Sequence, residues 1–492
     1  MGNHPGSRQL VSNASVLGQI LPRIRGISGG RHAIWREKHT IFQEAGWDGL
    51  ANVSIIPRLR TQIWLSDAAA IKEVTMSRAR FPKPVHQYRV LLLFGGNIVA
   101  SEGDEWKRYR KVAAPAFSEK NNKLVWDETV KIMVDMFHTL WNDAPEVTVD
   151  HCIEITLPIA LFVIGVAGFG RKVSWKDDTV VPPGYTMSFK EALHVVSTGT
   201  IVKAIVPNWA MGLTKHFRHV RDAFKELDNY MFDMIRARRE SEKKEERYDL
   251  FSQLLDASQV ETEDGMPQIT DRELVGNIFI FLLAGHETTA HTLCFTFAML
   301  ALYPEEQDKL YKEIKSLMPD PTRLPTYDEM NSFQYSMAVF YETLRMFPPV
   351  NGIPKQSAED TSIVVGNGSG DSVAIPCPKG TYITIDTPGL HYNPRYWSDP
   401  HSFKPERFLG DWPRDAFVPF SAGPRACIGR RFFETEGIAI LIMLISRYKV
   451  TVKEEPQFAN ETFEERKARV LAAKPVLTLS PTRVPLTFTK RE

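Results

Sequence analysis

Three clusters of residues have types and spacings that suit chemistry rather than packing. The first is Phe420-Ser421-Ala422-Gly423-Pro424-Arg425-Ala426-Cys427-Ile428-Gly429-Arg430, a Gly/Pro-containing loop that runs into the apolar pattern Phe432 to Ile445. A thiol just ahead of a helix meets free amides and the positive end of the helix dipole, which favour thiolate. Gly423 and Gly429 let the backbone come close to a flat ligand. An isolated cysteine is more often an inert core residue, but Arg425 two residues away and the paired glycines weigh for a ligand here. A single thiolate without neighbouring Cys or His suits axial ligation of a haem iron, whose in-plane ligands come from the porphyrin.

The second cluster is Ala284-Gly285-His286-Glu287-Thr288-Thr289, flanked on both sides by apolar sequence. A buried carboxylate without a partner costs several kcal/mol, so Glu287 should face water, a partner or a reaction. Thr288 can bond back to a carbonyl and Gly285 can loosen the helix, opening the backbone ladder toward a cavity. A satisfied polar kink in a core helix is the competing reading. The third cluster is Glu342 and Arg345, the only charges in the apolar segment Asn331 to Phe347. At i and i+3 they can pair on one helix face, and the apolar surroundings imply a buried pair that needs further partners.

The elements that must position these groups are mostly helices. Thr270-x-x-Glu273 is a capping box and the helix it opens should run to about Tyr303, ahead of Pro304, a length of about 50 Å at 1.5 Å per residue. Between Glu273 and Glu305 its single formal charge is Glu287. From about Trp106 to Phe347 the chain reads as successive helices broken at Pro182-Pro183, at the mixed-charge run Arg236 to Arg247 and at Gly265-Met266-Pro267. Strand signals lie at Val53 to Trp64 and again at 362–365, 373–375 and 382–385, which read as a small antiparallel sheet. The class is mainly α with small antiparallel β-sheets.

Composition removes several alternatives. The 492 residues carry 60 Lys+Arg and 59 Asp+Glu, a formal net charge of +1, so bulk charge does not point to nucleic acid. Four scattered cysteines form neither a disulfide framework nor a zinc site. The apolar runs Ile155 to Gly170 and Leu274 to Gly285 fall short of the ~20 residues of a spanning helix. No signal-peptide core follows Met1-Gly2.

Taken together, these motifs resemble the cytochrome P450 family of haem-thiolate monooxygenases. The family's F-x-x-G-x-R-x-C-x-G pattern is met by Phe420, Gly423, Arg425, Cys427 and Gly429, and its A-G-x-x-T by Ala284, Gly285 and Thr288. Its E-x-x-R is met by Glu342 and Arg345, its P-x-R-F by Pro405-Glu406-Arg407-Phe408, and its W-x-x-x-R by Trp106 and Arg110. The match covers about Phe81 to the carboxyl end and is most like fungal microsomal members.

The resemblance implies a P450 fold, with haem b between the long central helix and the cysteine loop. It implies one catalytic domain over 1–492: an amino-terminal segment over 1–30, β-rich portions over 31–100 and 350–390, and a helix-rich remainder. Cys427 would be the axial ligand, with Phe420 packed near the sulfur and Gly423 and Gly429 along the haem. Trp106, Arg110 and Arg425, with Lys355 where the family often has Arg, would hold the propionates. Glu287 and Thr288 would relay protons to dioxygen. Ile280, Leu283, Ala284, Val350 and Ile353 would wall an apolar substrate site. Glu342, Arg345 and Arg407 would form a structural triad.

No flavin or nicotinamide motif follows Cys427, so electrons from NADPH would arrive through a separate reductase, with cytochrome b5 as a further donor. Lys107, Arg108, Lys111, Arg430 and Arg431 would draw that acidic partner. The expected reaction inserts one atom of O2 into a lipophilic molecule. The resemblance also implies an endoplasmic-reticulum location on the cytosolic face; the spanning helix of microsomal members is not seen in these residues, which would fit either a removed anchor or a naturally unanchored protein. A shallow membrane contact through the amino-terminal segment and Val195 to Leu213 fits the mixed residues there. Two other readings keep the cysteine: a haem-thiolate isomerase or dehydratase that needs no proton relay, and a haem carrier or sensor.

Overall fold

The computed structural model describes residues 4–13, 15–170, 175, 181–240, 249–260, 268–320 and 322–492. Met1-Gly2, Gly265-Met266-Pro267 and most of the run Arg236 to Arg247 lie outside them. The described part of that run ends the helix Lys215–Glu240.

Helices dominate, and one of them organises the rest. Asp271–Leu302 is a continuous 32-residue α-helix, about 48 Å long. Thr270 caps it as expected: its hydroxyl takes the Glu273 amide, and the Glu273 carboxylate takes the Thr270 amide at 2.8 Å. Glu273 is further held by Arg108 and by the Tyr109 hydroxyl at 2.7 Å, which fixes the start of this helix against the helix Gly103–Ala113. By length and composition the long helix could cross a membrane, but its most apolar stretch is 72% buried in the protein, as a core element.

The helix is not broken at Gly285, contrary to expectation. The neighbouring helix Ile153–Val163 instead ends in a π-helical turn, Ile164–Gly168. A Cβ on Gly285 would lie 3.3 Å from Ile164 Cδ1, so the glycine makes room for a neighbour.

Two helices pack beneath the long one. Arg430–Arg447, directly after the cysteine loop, buries every residue from Phe432 to Ile445. Gln334–Met346 carries Glu342 and Arg345 and crosses it so closely that a Cβ on Gly437 would lie 2.2 Å from Phe340 Cζ. Only glycine permits that crossing. Each fully buried Leu, Ile or Phe here contributes about 1.5–3 kcal/mol, so the position of the cysteine helix is set by apolar burial.

The β-structure departs from the expected small antiparallel sheet. Thr361–Gly366 and Ser372–Cys377 do pair antiparallel, but Tyr382–Asp386 leaves them for another sheet. There it runs parallel to Arg60–Leu65 and antiparallel to Gly352–Gln356. The sheet is completed by Gly49–Ile56, antiparallel to Arg60–Leu65, and by Arg8–Val11, parallel to Gly49–Ile56. Its burial explains the arrangement: Ile383 and Ile385 are inaccessible, as are their neighbours Ile63 and Leu65. A further sheet joins Glu146–Val149, Leu486–Lys490 and Tyr448–Val452, outside both portions read as β-rich.

Candidate active site

A cavity of about 360 Å³ lies between the long helix and the cysteine loop. Ile280, Phe281, Ala284, Gly285, Thr288 and Thr289 of the long helix border it, and Phe420, Arg425, Ala426, Cys427, Ile428 and Gly429 border it from the loop. Three segments distant in sequence thereby converge, with Val350 and Ile353 closing another side.

The loop is held from within. The Cys427 amide donates to the Phe420 carbonyl at 2.9 Å and the Ala426 amide to the Gly423 carbonyl at 3.0 Å. Gly423 has φ +68°, and a Cβ there would lie 2.5 Å from the Thr75 carbonyl oxygen. The residue is therefore required by a close approach to the preceding helix Ala68–Met76, and it does not border the cavity, in contrast to its expected place along a cofactor. Gly429 does border it, at an ordinary negative φ of −86°. Phe420 packs edge-on against Phe433, with the Arg430 guanidinium 5.2 Å from its ring centre.

Cys427 is accessible to this cavity, whereas Cys152, Cys294 and Cys377 are buried. Its thiol pKa is raised, against the expectation from the helix terminus. Removal from water outweighs the pull of the Gly429 amide, Arg110 and Arg430. A metal ion would reverse this balance, since a coordinating thiol is deprotonated outright.

One end of the cavity is cationic. The guanidinium groups of Arg78 and Arg425 each lie 4.6 Å from the centre of the Trp106 ring, and Arg110 follows one turn later on the same helix. Arg425 donates one N–H to the Ser101 carbonyl at 2.8 Å. Its Nη1, the Nη1 of Arg78 and the Nζ of Lys355 are buried without a partner among the described residues. Burial pushes Lys355 down to about 8, with Arg425 and Arg78 adding to the fall against the pull of Glu102. Lys83 is lowered to about 7 by burial and then by Arg425 and Lys355. Three orphaned cationic nitrogens in one place call for anionic oxygens.

These residues fit haem: an accessible thiol under the cavity floor, apolar walls, and a cation cluster with open donors for two carboxylates. Lys355 itself does not border the cavity and belongs to the cluster's outer side.

On the helix opposite, Thr288 faces the cavity with its hydroxyl bonded back to the Ala284 carbonyl at 2.7 Å. Glu287 does not border the cavity, and Ser197 of the helix Phe189–Ile205 faces its carboxyl. Burial pushes its pKa up to about 7 against the pull of Ser197, so it exchanges its proton near neutral pH. Leu283 is likewise buried away from the cavity in the helix packing. Residues one turn apart share a helix face, so Ala284 and Thr288 line the space together while Leu283 and Glu287, each about 100° round the helix from them, do not.

Sequence reasoning missed Lys83, Tyr88, Ile98, Val99, Phe117, Ile164 and Leu250, all of which border the cavity. They come from loops, helix ends and the π-helical turn, where periodicity carries no signal. Lys83 sits between Pro82 and Pro84, a weak mark of a fixed turn.

Glu342 and Arg345 form the expected buried pair, joined at 2.7 and 2.8 Å and wholly inaccessible. Arg407 adds a contact to the same carboxylate at 3.1 Å. All five guanidinium donors of Arg345 are used, the others by the carbonyls of His391, Pro400 and Ser402. Such full pairing is what allows charges to survive burial.

The cytochrome P450 family model matches residues 52–478. The chain belongs to the cytochrome P450 family. It is a P450 monooxygenase, an oxidoreductase, and haem is the family's cofactor. It is 54% identical to cytochrome P450 monooxygenase 124 of Postia placenta, over 99% of this chain and 94% of that protein. Cytochrome P450 monooxygenase ORF6 of Penicillium roqueforti is 30% identical, covering 85% of this P450 and 78% of the relative. The crystal structure of the cytochrome P450DA heme domain superposes with a TM-score of 0.78 at 22% identity, over 99% of this chain and 98% of that one, and shares its fold.

Proposed function

We propose that this P450 inserts one oxygen atom of O2 into a lipophilic organic molecule, using electrons delivered from NADPH by a separate reductase. The observation that carries the reading is the shared cavity of Cys427 and Thr288, one on each wall. Bound haem supplies oxygen activation, with a thiolate ligand pushing electron density toward O–O cleavage. Cys427 is the ligand; Trp106, Arg110, Arg425 and Lys355, joined by Lys83 and Arg78, hold the propionates. Phe420 packs by the sulfur and Gly429 leaves the cavity floor clear.

Thr288 holds a proton-bearing hydroxyl at the cavity, and Glu287 supplies protons to that part of the helix from the Ser197 side. This pair favours oxygenation over the redox-neutral isomerase reading, which needs no such relay. Ile280, Ala284, Val350 and Ile353 bind the substrate through apolar contact. Phe281, Ile164 and Leu250 narrow the same space.

The reductase docks on the face of the cysteine loop. A groove of about 530 Å³ there is lined by Arg78, Arg80, Lys107 and Pro424. Arg108 does not belong to this face, because it is committed to Glu273 and the Gln268 carbonyl. Lys111 and Arg431 remain as steering charges, while Lys107 is paired with Asp104 at 2.7 Å and Arg430 with Glu434 at 2.8 Å. Location at the endoplasmic-reticulum membrane is supported by exposed apolar side chains at Ile205, Trp209 and Leu213.

The test is a carbon-monoxide difference spectrum of the reduced protein, followed by NADPH turnover with a reductase. A red-shifted thiolate band lost in Cys427→Ala, and NADPH use uncoupled from product in Thr288→Ala, are expected. An unchanged band in the first variant or full coupling in the second overturns the assignment.

A further inference from the structure

His391 ends the short helix Thr387–His391 and is completely buried. Both ring nitrogens are engaged. The Val418 amide donates to Nε2 at 3.0 Å, and Nδ1 lies 3.1 Å from the Arg345 carbonyl oxygen. An amide can only donate, so Nε2 must be bare and the ring proton must sit on Nδ1, where it donates to Arg345. The His391 carbonyl in turn accepts from Arg345 Nη1 at 2.8 Å. The ring stacks on Phe417 with centres 5.5 Å apart and planes 19° apart.

His391 thus spans two parts of the molecule. On one side is the Glu342–Arg345–Arg407 network. On the other is the run Phe417-Val418-Pro419-Phe420, which turns at Pro419-Phe420 into the cysteine loop. From Val418 the chain of bonds continues: its carbonyl accepts from the Ser421 amide at 3.0 Å, and the Phe420 carbonyl accepts from the Cys427 amide at 2.9 Å. Ser421 adopts the left-handed φ of +59°, so the loop is already in an unfavoured conformation and needs outside support.

We propose that His391, as its Nδ1–H tautomer, is a positioning residue that fixes the entrance to the Cys427 loop by accepting the Val418 amide. The proposal rests on the reading of Cys427 as the thiolate ligand. Removing the acceptor leaves a buried donor unpaired, which shifts the loop toward displaced forms by about fivefold or more. The neutral ring also explains why burial and the Arg345 charge, which lower its pKa to about 3, cost the site nothing near neutral pH.

The experiment separates the two ring nitrogens. His391→Gln places an amide oxygen near the Nε2 position and keeps an acceptor for Val418. His391→Asn reaches only the Nδ1 position and leaves Val418 unpaired, and His391→Phe keeps the stacking with neither bond. In the holoprotein, the ratio of thiolate to displaced-ligand carbon-monoxide bands should stay near wild type in the Gln variant. It should fall about fivefold or more in the other two, with unfolding temperatures followed in parallel. Equal ratios in all three variants, high or low, overturn the proposal. A wild type without the thiolate band overturns the ligand reading instead. Should the Asn and Phe variants not fold, ¹⁵N-histidine spectra of the wild type decide, with His391 identified by its absence in the Gln variant. An Nδ1–H tautomer supports the proposal and an Nε2–H tautomer sinks it.

Discussion

The two walls of the cavity are built on different physical principles. Beneath it, on the side of the Glu342–Arg345 pair, polar groups are fully engaged: Arg345 uses all five donors, His391 both nitrogens, and the Cys427 and Ala426 amides close on loop carbonyls. Opposite, on the long helix and the segment after Pro349, the lining is mostly apolar with Thr288 and Thr289 as its hydroxyls, and among the described residues Ser197 stands beside the Glu287 carboxyl. One side holds a single atom in place, and hydrogen bonds with fixed directions suit that task. The other side admits a molecule of some size, and shape alone suits that. The difference teaches where this fold tolerates change: a P450 can alter the apolar wall without disturbing the thiol, because the two share packing but few hydrogen bonds.

Substitutions can break this contrast or sharpen it. The largest effect is expected for Arg345→Ala, which leaves Glu342 charged and buried. Breaking such a pair costs about 3–5 kcal/mol, so the variant should unfold at much lower denaturant and fail to retain haem. Haem retention with less than about 1 kcal/mol of loss would show that the lower wall is not over-determined.

Glu287 comes next, through pH. Its folded pKa of about 7 lies above the ordinary 4.5. Between those values the unfolded chain releases a proton that the folded protein keeps, so stability falls as pH rises and the penalty is complete above about 7. It amounts to roughly 3 kcal/mol. Glu287→Gln should therefore match wild type near pH 4 and exceed it at pH 8 in thermal unfolding. Parallel curves for the two proteins would mean the carboxyl is solvated or paired.

The smallest stability change is expected for Val350→Ala. This residue borders the cavity yet keeps 42% of its surface exposed. Stability should move by no more than about 0.5 kcal/mol, while KM for a bound apolar substrate changes with kcat largely kept. A large loss of stability with unchanged KM would place Val350 in the core.

Much of the lower wall was legible in the sequence, because its parts announce themselves locally. A cysteine in a Gly/Pro loop before a helix, a charge pair three residues apart in an apolar helix, and Thr270-x-x-Glu273 each state their own requirement. The long helix followed from its cap and its apolar run to within a residue at each end. Less could be read of which helix face meets the cavity. Leu283 and Ala284 are neighbours in sequence, and only the packing of the π-helical turn against Gly285 decides that the second faces inward. The same holds for Tyr382–Asp386, whose alternation fits any sheet and whose partner was decided by the apolar faces of Arg60–Leu65 and Gly352–Gln356.

By itself, then, the sequence determined the cysteine loop ahead of its helix, the buried charge pair and the helices that bear them, since each depends on residues within a few turns of one another. Tertiary structure alone decided that Arg78 and Lys83 join Arg425 and Lys355, the turning of Glu287 toward Ser197, and the span of His391 between Arg345 and Val418. Those arrangements join residues tens to hundreds of positions apart. Their energies come from desolvation and from donors finding acceptors, which no local pattern specifies.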